Sequence, residues 1–349
     1  MRQLVSHNGT RYDVADPRWK CDSGALLDLE FDAPFEVSDR SGMWKYRSAI
    51  PIPDDTHIVS FDEGGTPLTK VSVAGHSVWF KQDHLFPSGS YKDRGASVLI
   101  SRAVELGVDR VVEDSSGNAG AAIAAYCAKA GIGCDIYVPD STSPAKLAQI
   151  EAYGATLHRV QGTREDTAHA ALAAAEDHFY ASHVWNPFFF HGTKTFAYEV
   201  VDQLGRAPDR VIIPTGNGTL LIGVWIGFND LMRVGRIDRI PELIAVQAEN
   251  CAPLDAAWHD TEFTTAPTRA EGIAIAEPAR KDQMLDIIRR SKGRIITVSE
   301  EAIDTAWSDA ISRGWFIEPT SAAALAAVSE LETVGIAVIP LTGHGLKSH

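Results

Sequence analysis

RVVEDSSGNAGAAIAAYCAKAGIGCDIYVP, residues 110–139, is the stretch that decides the fold class. It opens on RVVED (110–114), a short β-branched run that reads as a strand. NAGAAIAAYCAKAG (118–131) is alanine-rich and closed by Gly131, which reads as a helix with a glycine stop. CDIYVP (134–139) returns to strand composition. Strand, polar turn, helix and strand in succession make a βαβ unit, whose two strands run parallel because a helical crossover returns the chain to the same sheet edge.

The same alternation continues outward. Ser143 and Pro144 open a helix that Gly154 ends, and ATLHRV and FYASHVW follow as strands. A helix over 193–204 stops at Gly205, and strands follow at 210–214, 243–249, 294–298 and 336–341, with helices at 300–313 and 320–332. The pattern predicts an α/β protein with two open parallel-sheet domains. Residues 1–60 are richer in Asp, Pro and Arg, lack periodicity, and read as an extended arm packed on the body.

Composition narrows the function classes. With 349 residues and 45% apolar side chains the chain can bury a substantial core. A formal charge of −14 disfavours nucleic acid and anionic membrane surfaces, both of which need a basic face. The four cysteines, Cys21, Cys127, Cys134 and Cys251, have no paired spacing, which suits a reducing compartment and supplies no metal ligand set. The opening MRQLVSHNGTRYD has no apolar core of signal length, so a cytoplasmic protein without a membrane span is expected.

Three polar, glycine-containing turns follow predicted strands: EDSSGNAG (113–120), PTGNGT (214–219) and LTGHGLK (341–347). Open α/β sheets place ligands at the carboxyl ends of their strands. In VIIPTGNGTLLIG (211–223) the backbone N–H groups of residues 216–220 can converge on an anion at the start of a helix. The stretch lacks the GxxxxGK[ST] of a P-loop, and Leu221 stands where a dinucleotide fingerprint has its third glycine.

SGSYKDRG (88–95) carries the reactive candidate. Ser90 and Asp93 have capping-box spacing, which predicts a helix starting at Ser90 with Lys92 in its first turn. The positive end of the helix dipole disfavours an ammonium there and favours the neutral amine that Schiff-base chemistry needs.

With these stretches in place the chain resembles the fold-type II, tryptophan synthase β-like pyridoxal-phosphate enzymes, and among them the threonine synthase family. Eight motifs occur in that family's order: EGGTPL (63–68), SGSYKDRG (88–95), SSGNAG (115–120), AKLAQIEAYGA (145–155), WNPFFFHGTKT (185–195), PTGNGT (214–219), EPTSAAALAA (318–327) and LTGHGLK (341–347). The resemblance implies that pyridoxal 5'-phosphate is the cofactor and that Lys92 carries it. Asn118 would bond its phenolic oxygen, Gly216, Asn217, Gly218 and Thr219 would cradle its phosphate, and Thr342 would face its ring nitrogen. Ser115, Ser116 and Ala119 would line the pocket for a substrate carboxylate, with Glu271 also among the substrate-binding candidates. It also implies a domain of residues 61–95 plus 191–349 that binds the cofactor, a smaller inserted domain of 96–190, a small-molecule amino-acid substrate and, as an open option, a homodimer.

Two local departures keep alternatives open. Phe86 stands where the family's motif before the lysine begins with Asn, and EGIAIAEP (271–278) puts Glu271 where an arginine context is usual, closer to the dehydratases and racemases. Arg94, Lys146 and Lys194 remain as counter-charges for a phosphorylated substrate. The expected reaction is therefore conversion of O-phosphohomoserine to threonine, with β-elimination or racemisation of a hydroxy-amino acid as the alternative. A nicotinamide oxidoreductase using GNGT with Glu249 is more remote, since it leaves Lys92 and Thr342 without roles, and an intact lysine and phosphate cup argue against a non-catalytic relative. Cys21 lacks a partner at ligand spacing, so its expected role is packing.

Overall fold

The computed structural model of the chain describes every residue except Met1, Ala33, Thr163, Thr333, Val334, Ser348 and His349. It divides into two units, one formed by Met1–Glu63 with Lys92–Thr193 and the other by Gly64–Tyr91 with Lys194–His349. Residues 1–63 and Lys92 both belong to the unit that holds the four-stranded sheet.

In the first unit a four-stranded parallel sheet runs in the order Thr156–Val160, Gly133–Pro139, Arg110–Glu113, Phe179–Tyr180. Val111 and Val112 of its interior strand are fully buried, as are Ile136 and Val138 beside them. Covered on both faces, such strands read as continuous apolar runs rather than as alternation. The helix Asn118–Ala130 begins after the polar turn and ends at Gly131 in the left-handed region, as its sequence requires. FYASHVW contributes only Phe179–Tyr180 to the sheet. Beyond it the Ser182 hydroxyl accepts from the amides of Val184 and Trp185, which curls the chain out of the extended form.

The N-terminal residues are not an extended arm. Arg2–Ser6 pairs antiparallel with both Arg11–Asp13 and Leu27–Phe31, and Leu4, Leu27 and Leu29 turn into the apolar core that the helix Lys92–Glu105 also enters. Cys21 caps the intervening turn, its sulfur accepting from the Ala25 amide at 3.2 Å.

The second unit holds a six-stranded sheet in the order Arg294–Val298, Glu242–Ala248, Arg210–Pro214, Ala337–Pro340, His76–Lys81, Leu68–Val73. All neighbours are parallel except the last pair, a hairpin whose two turn residues, Ala74 and Gly75, have φ of 47° and 79°. Among the described residues no helix is long and apolar enough to cross a membrane.

Candidate active site

Each unit supplies its own group of candidate residues. In the first, Lys92 is the first residue of the helix Lys92–Glu105, and its Nζ lies 5.7 Å from the centre of the Phe189 ring. That ring belongs to the short helix Phe188–Thr193, which packs on the lysine's helix at a distance only glycine allows. A Cβ on Gly95 would come within 2.3 Å of Phe189, and one on Gly192 within 1.9 Å of the Arg94 carbonyl oxygen. SGSYKDRG and FFFHGTKT are thus two halves of one helix contact. The capping box is not formed, because the buried Ser90 hydroxyl has no hydrogen-bond partner, so the helix starts two residues later than its spacing predicts.

Asn118 opens the next helix, which follows Gly117 and has no side-chain cap. The Ser115 hydroxyl accepts from the Gly117 amide at 3.3 Å, Ser116 is half-buried, and Ala119 is buried. Behind this loop the sequence reading passed over a polar cluster: His183 Nδ1 lies 2.8 Å from Glu113 Oε1, and the Tyr180 hydroxyl donates to Asp114 at 2.9 Å. Burial pushes the Tyr180 phenol well up, with Asp114 and Glu113 adding to the effect.

In the second unit the strand Arg210–Pro214 leads through Thr215 into the helix Thr219–Arg233. Gly218 precedes this helix at φ 75°, and no side chain caps the first turn. A Cβ on Gly216 would stand 2.9 Å from the Ile273 Cα, and one on Gly218 2.1 Å from the Met284 sulfur. The segment after Glu271 therefore lies directly against the turn, with Glu271 itself exposed beside it. Asn217 is half-buried at the centre of the turn. Thr215 spends its hydroxyl proton on the Ile213 carbonyl, whereas Thr219 Oγ1 shares a 2.8 Å hydrogen bond with the Tyr91 hydroxyl.

Thr342 is fixed by three hydrogen bonds. Its amide donates to Ser321 Oγ at 2.8 Å, its hydroxyl donates to Glu318 Oε1 at 2.7 Å, and Ser321 Oγ lies 2.9 Å from its Oγ1. Glu318 thereby explains the motif EPTSAAALAA, which supports the turn LTGHGLK from behind. His344 stacks against His84 at 5.9 Å; burial, and then the charge of His344, lowers His84 to about 4.

The cations proposed as counter-charges separate. Lys194 is fully buried and donates to Asp230 at 2.9 Å, so its charge is already matched inside the unit. Arg94 is fully buried in the first unit, and Lys146 is exposed on the helix Pro144–Ala152.

Comparison with known proteins decides what this arrangement serves. Residues 59–343 match the family described as pyridoxal-phosphate dependent enzymes. The chain is 34% identical to the threonine synthase of Methanocaldococcus jannaschii, over 99% of this chain and 93% of that one. It is 35% identical to the threonine synthase of Mycobacterium tuberculosis, over 86% of this chain and 87% of the relative.

The chain belongs to the pyridoxal-phosphate dependent enzymes, in the threonine synthase family. Among solved structures it is similar to a T.th. threonine deaminase, with a TM-score of 0.66 and 26% identity over 80% of this chain and 92% of that one. Maize serine racemase shares the fold, with a TM-score of 0.69 at 20% identity over 80% of this chain and 88% of that one.

The residues present fit the family's cofactor. A phosphate monoester suits a turn whose glycines leave no room for side chains and whose following helix has an uncapped first turn. A ring nitrogen suits a buried hydroxyl held rigid by Ser321 and Glu318. An aldehyde suits a lysine at the head of a helix anchored by Phe189.

Proposed function

We propose that the chain converts O-phosphohomoserine and water to threonine and inorganic phosphate, with Lys92 as the lysine that binds pyridoxal 5'-phosphate. The observation that carries this reading is the likeness to curated threonine synthases over nearly the whole chain. When bound, the cofactor serves as the electron sink for carbanionic character at the substrate's α-carbon. Lys92 Nζ takes and returns protons at the substrate carbons, as a general base and then as a general acid. Backbone amides of Gly216, Asn217, Gly218 and Thr219 would hold the cofactor phosphate, and Tyr91 orients the Thr219 hydroxyl by their shared hydrogen bond. Asn118 would meet the phenolic oxygen, while the loop of Ser115, Ser116 and Ala119 would take the substrate carboxylate. Thr342 would face the ring nitrogen, its hydroxyl turning from Glu318, to which it donates here, to donate to that nitrogen.

A second reading, β-elimination from threonine or serine to a 2-oxo acid and ammonia, is favoured by one feature. Glu271 stands beside the turn, where its charge repels a substrate dianion, and Lys194 is consumed by Asp230. Purified enzyme incubated in parallel with O-phosphohomoserine, L-threonine and L-serine distinguishes the two. Phosphate and threonine released from the first compound support the synthase. Oxo acid from the other two without phosphate release replaces it by the eliminase.

A further inference from the structure

Tyr91, the residue before Lys92, is bonded to two of the turns proposed to meet the cofactor. Its phenol oxygen lies 2.8 Å from Thr219 Oγ1, at the head of the helix Thr219–Arg233, and its amide donates to the Thr342 carbonyl at 3.0 Å. The amide bond belongs to a series. Ser90 and Gly343 form an antiparallel bridge, the His344 amide donates to the Gly89 carbonyl at 2.9 Å, and Lys347 Nζ donates to the Ser88 carbonyl at 2.8 Å. Residues 88–91 thus run in register along the turn LTGHGLK, and the phenol extends from that paired segment to the turn PTGNGT.

The two threonines of PTGNGT use their hydroxyls differently. Thr215 donates to the Ile213 carbonyl at 2.8 Å, whereas Thr219 meets Tyr91. A bond between two hydroxyls can run either way. If Thr219 donates to Tyr91, it turns lone pairs toward an anion in the turn. If Tyr91 donates to Thr219, the Thr219 hydrogen is left for an acceptor, and the oxygens of a phosphate accept. Thr219 is buried, where the low dielectric strengthens aligned bonds of this kind.

We propose that Tyr91 is a positioning residue: bonded to both turns, it fixes the phosphate turn in register with Thr342 and presents the Thr219 hydrogen to the cofactor phosphate, which raises the preference for a phosphorylated ligand. This rests on the reading of residues 216–219 as the phosphate turn. Tyr91 acts through Thr219 and touches no phosphate oxygen itself. Its contribution is preorganisation, since a hydroxyl already aimed at its acceptor has less freedom to lose on binding.

The test is equilibrium dialysis of the full chain against pyridoxal 5'-phosphate and, separately, against pyridoxal, which has the same ring and aldehyde and no phosphate. The ratio of the two affinities isolates what the phosphate contributes. Tyr91→Phe keeps the ring and the amide bond to Thr342 and should lower that ratio about fivefold, the worth of one net hydrogen bond. Thr219→Val should lower it at least as far, Thr219→Ser should hold it within about twofold of the parent, and Tyr91→Phe added to Thr219→Val should lower it little further. If Tyr91→Phe does not fold, Tyr91→Leu, which also lacks the hydroxyl, gives the same reading. A ratio unmoved by loss of the hydroxyl, including an equal loss of affinity for both compounds as a packing role would give, overturns the role of Tyr91 and leaves the phosphate turn standing. A parent chain with no preference for the phosphorylated compound overturns the phosphate-turn reading itself, and the role of Tyr91 with it.

Discussion

Two helix starts in this protein are locally alike and are proposed to serve opposite purposes. The helix Lys92–Glu105 and the helix Thr219–Arg233 both follow glycine-containing turns; no side chain caps the second, and before the first the Ser90 hydroxyl is buried without a partner. Exposed N–H groups at a helix start attract anions and repel cations. The second helix meets that field with a glycine turn crowded by its neighbours, where the cofactor phosphate is proposed to sit. The first meets it with Lys92, the lysine proposed to bind the cofactor. The difference lies in what stands behind each start: Phe189 packed on Gly95 in one, and Met284 with the segment after Glu271 closing around glycine in the other.

The largest effect should come from the first helix. Lys92→Ala should abolish the visible band of the bound cofactor and lower turnover by on the order of 10⁴-fold or more, since it removes both the proposed covalent tether and the proposed proton carrier. Absorbance and steady-state rates of the purified variant check this. An intact band in Lys92→Ala would mean that a different lysine holds the cofactor and that the field at this helix start serves only packing.

The second helix gives the counterpart. Gly218→Ala places a side chain at φ 75° and against Met284, which can swing aside, so the backbone term remains and costs about 1–2 kcal/mol. Cofactor affinity measured by equilibrium dialysis should fall by about tenfold while the apoprotein stays folded. Gly95→Ala should behave differently, because its Cβ would meet a buried aromatic ring at 2.3 Å. Overpacking of that kind costs about 1–3 kcal/mol of folding stability, and a urea titration should show the loss in stability rather than in binding alone.

These two helix starts were legible in the sequence because the information is local. A β-branched run, a glycine-rich turn and an apolar helix lie within a dozen or so residues of each other in PTGNGT and its flanks, and Lys92 carries its own turn with it. The parallel sheets were legible for the same reason, as alternating runs. What was not legible is pairing across long separations. Glu113 meets His183 across 70 residues, and Thr342 meets Glu318 across 24, so neither contact has a signature in either segment alone. The N-terminal sheet joins Arg2–Ser6 to Leu27–Phe31, short strands whose charged positions hide the alternation, and it is specified by burial of Leu4, Leu27 and Leu29 against a core built much later in the chain.

A smaller, pH-dependent effect tests the support of the loop that leads to the first helix. His84 is buried at 6% exposure, with Asp83 favouring its charge and His344 opposing it. Its value of about 4 in the folded chain lies below the ordinary 6.5, so the unfolded chain binds the extra proton first as pH falls. Stability is therefore full above about pH 6.5 and is lost progressively down to about pH 4, by up to about 3 kcal/mol from this group. Urea midpoints measured across that window should fall with pH in the parent chain and fall less steeply in His84→Asn. Parallel slopes for the two would show that the histidine pair is not the sensitive element.

The smallest effect is expected at Ser90, where the two helix starts are most directly compared. If Ser90 capped the helix as its spacing with Asp93 suggests, Ser90→Ala would cost about 1 kcal/mol. The hydroxyl instead is buried without a partner, so its removal takes away an unsatisfied polar group and no hydrogen bond. Ser90→Ala should leave the urea midpoint unchanged within about 0.5 kcal/mol or raise it slightly. A loss near the full capping value would mean that a side chain shields the amides at the head of the Lys92 helix after all. The likeness between the start proposed to present an amine and the uncapped start proposed to hold a phosphate would then be lost.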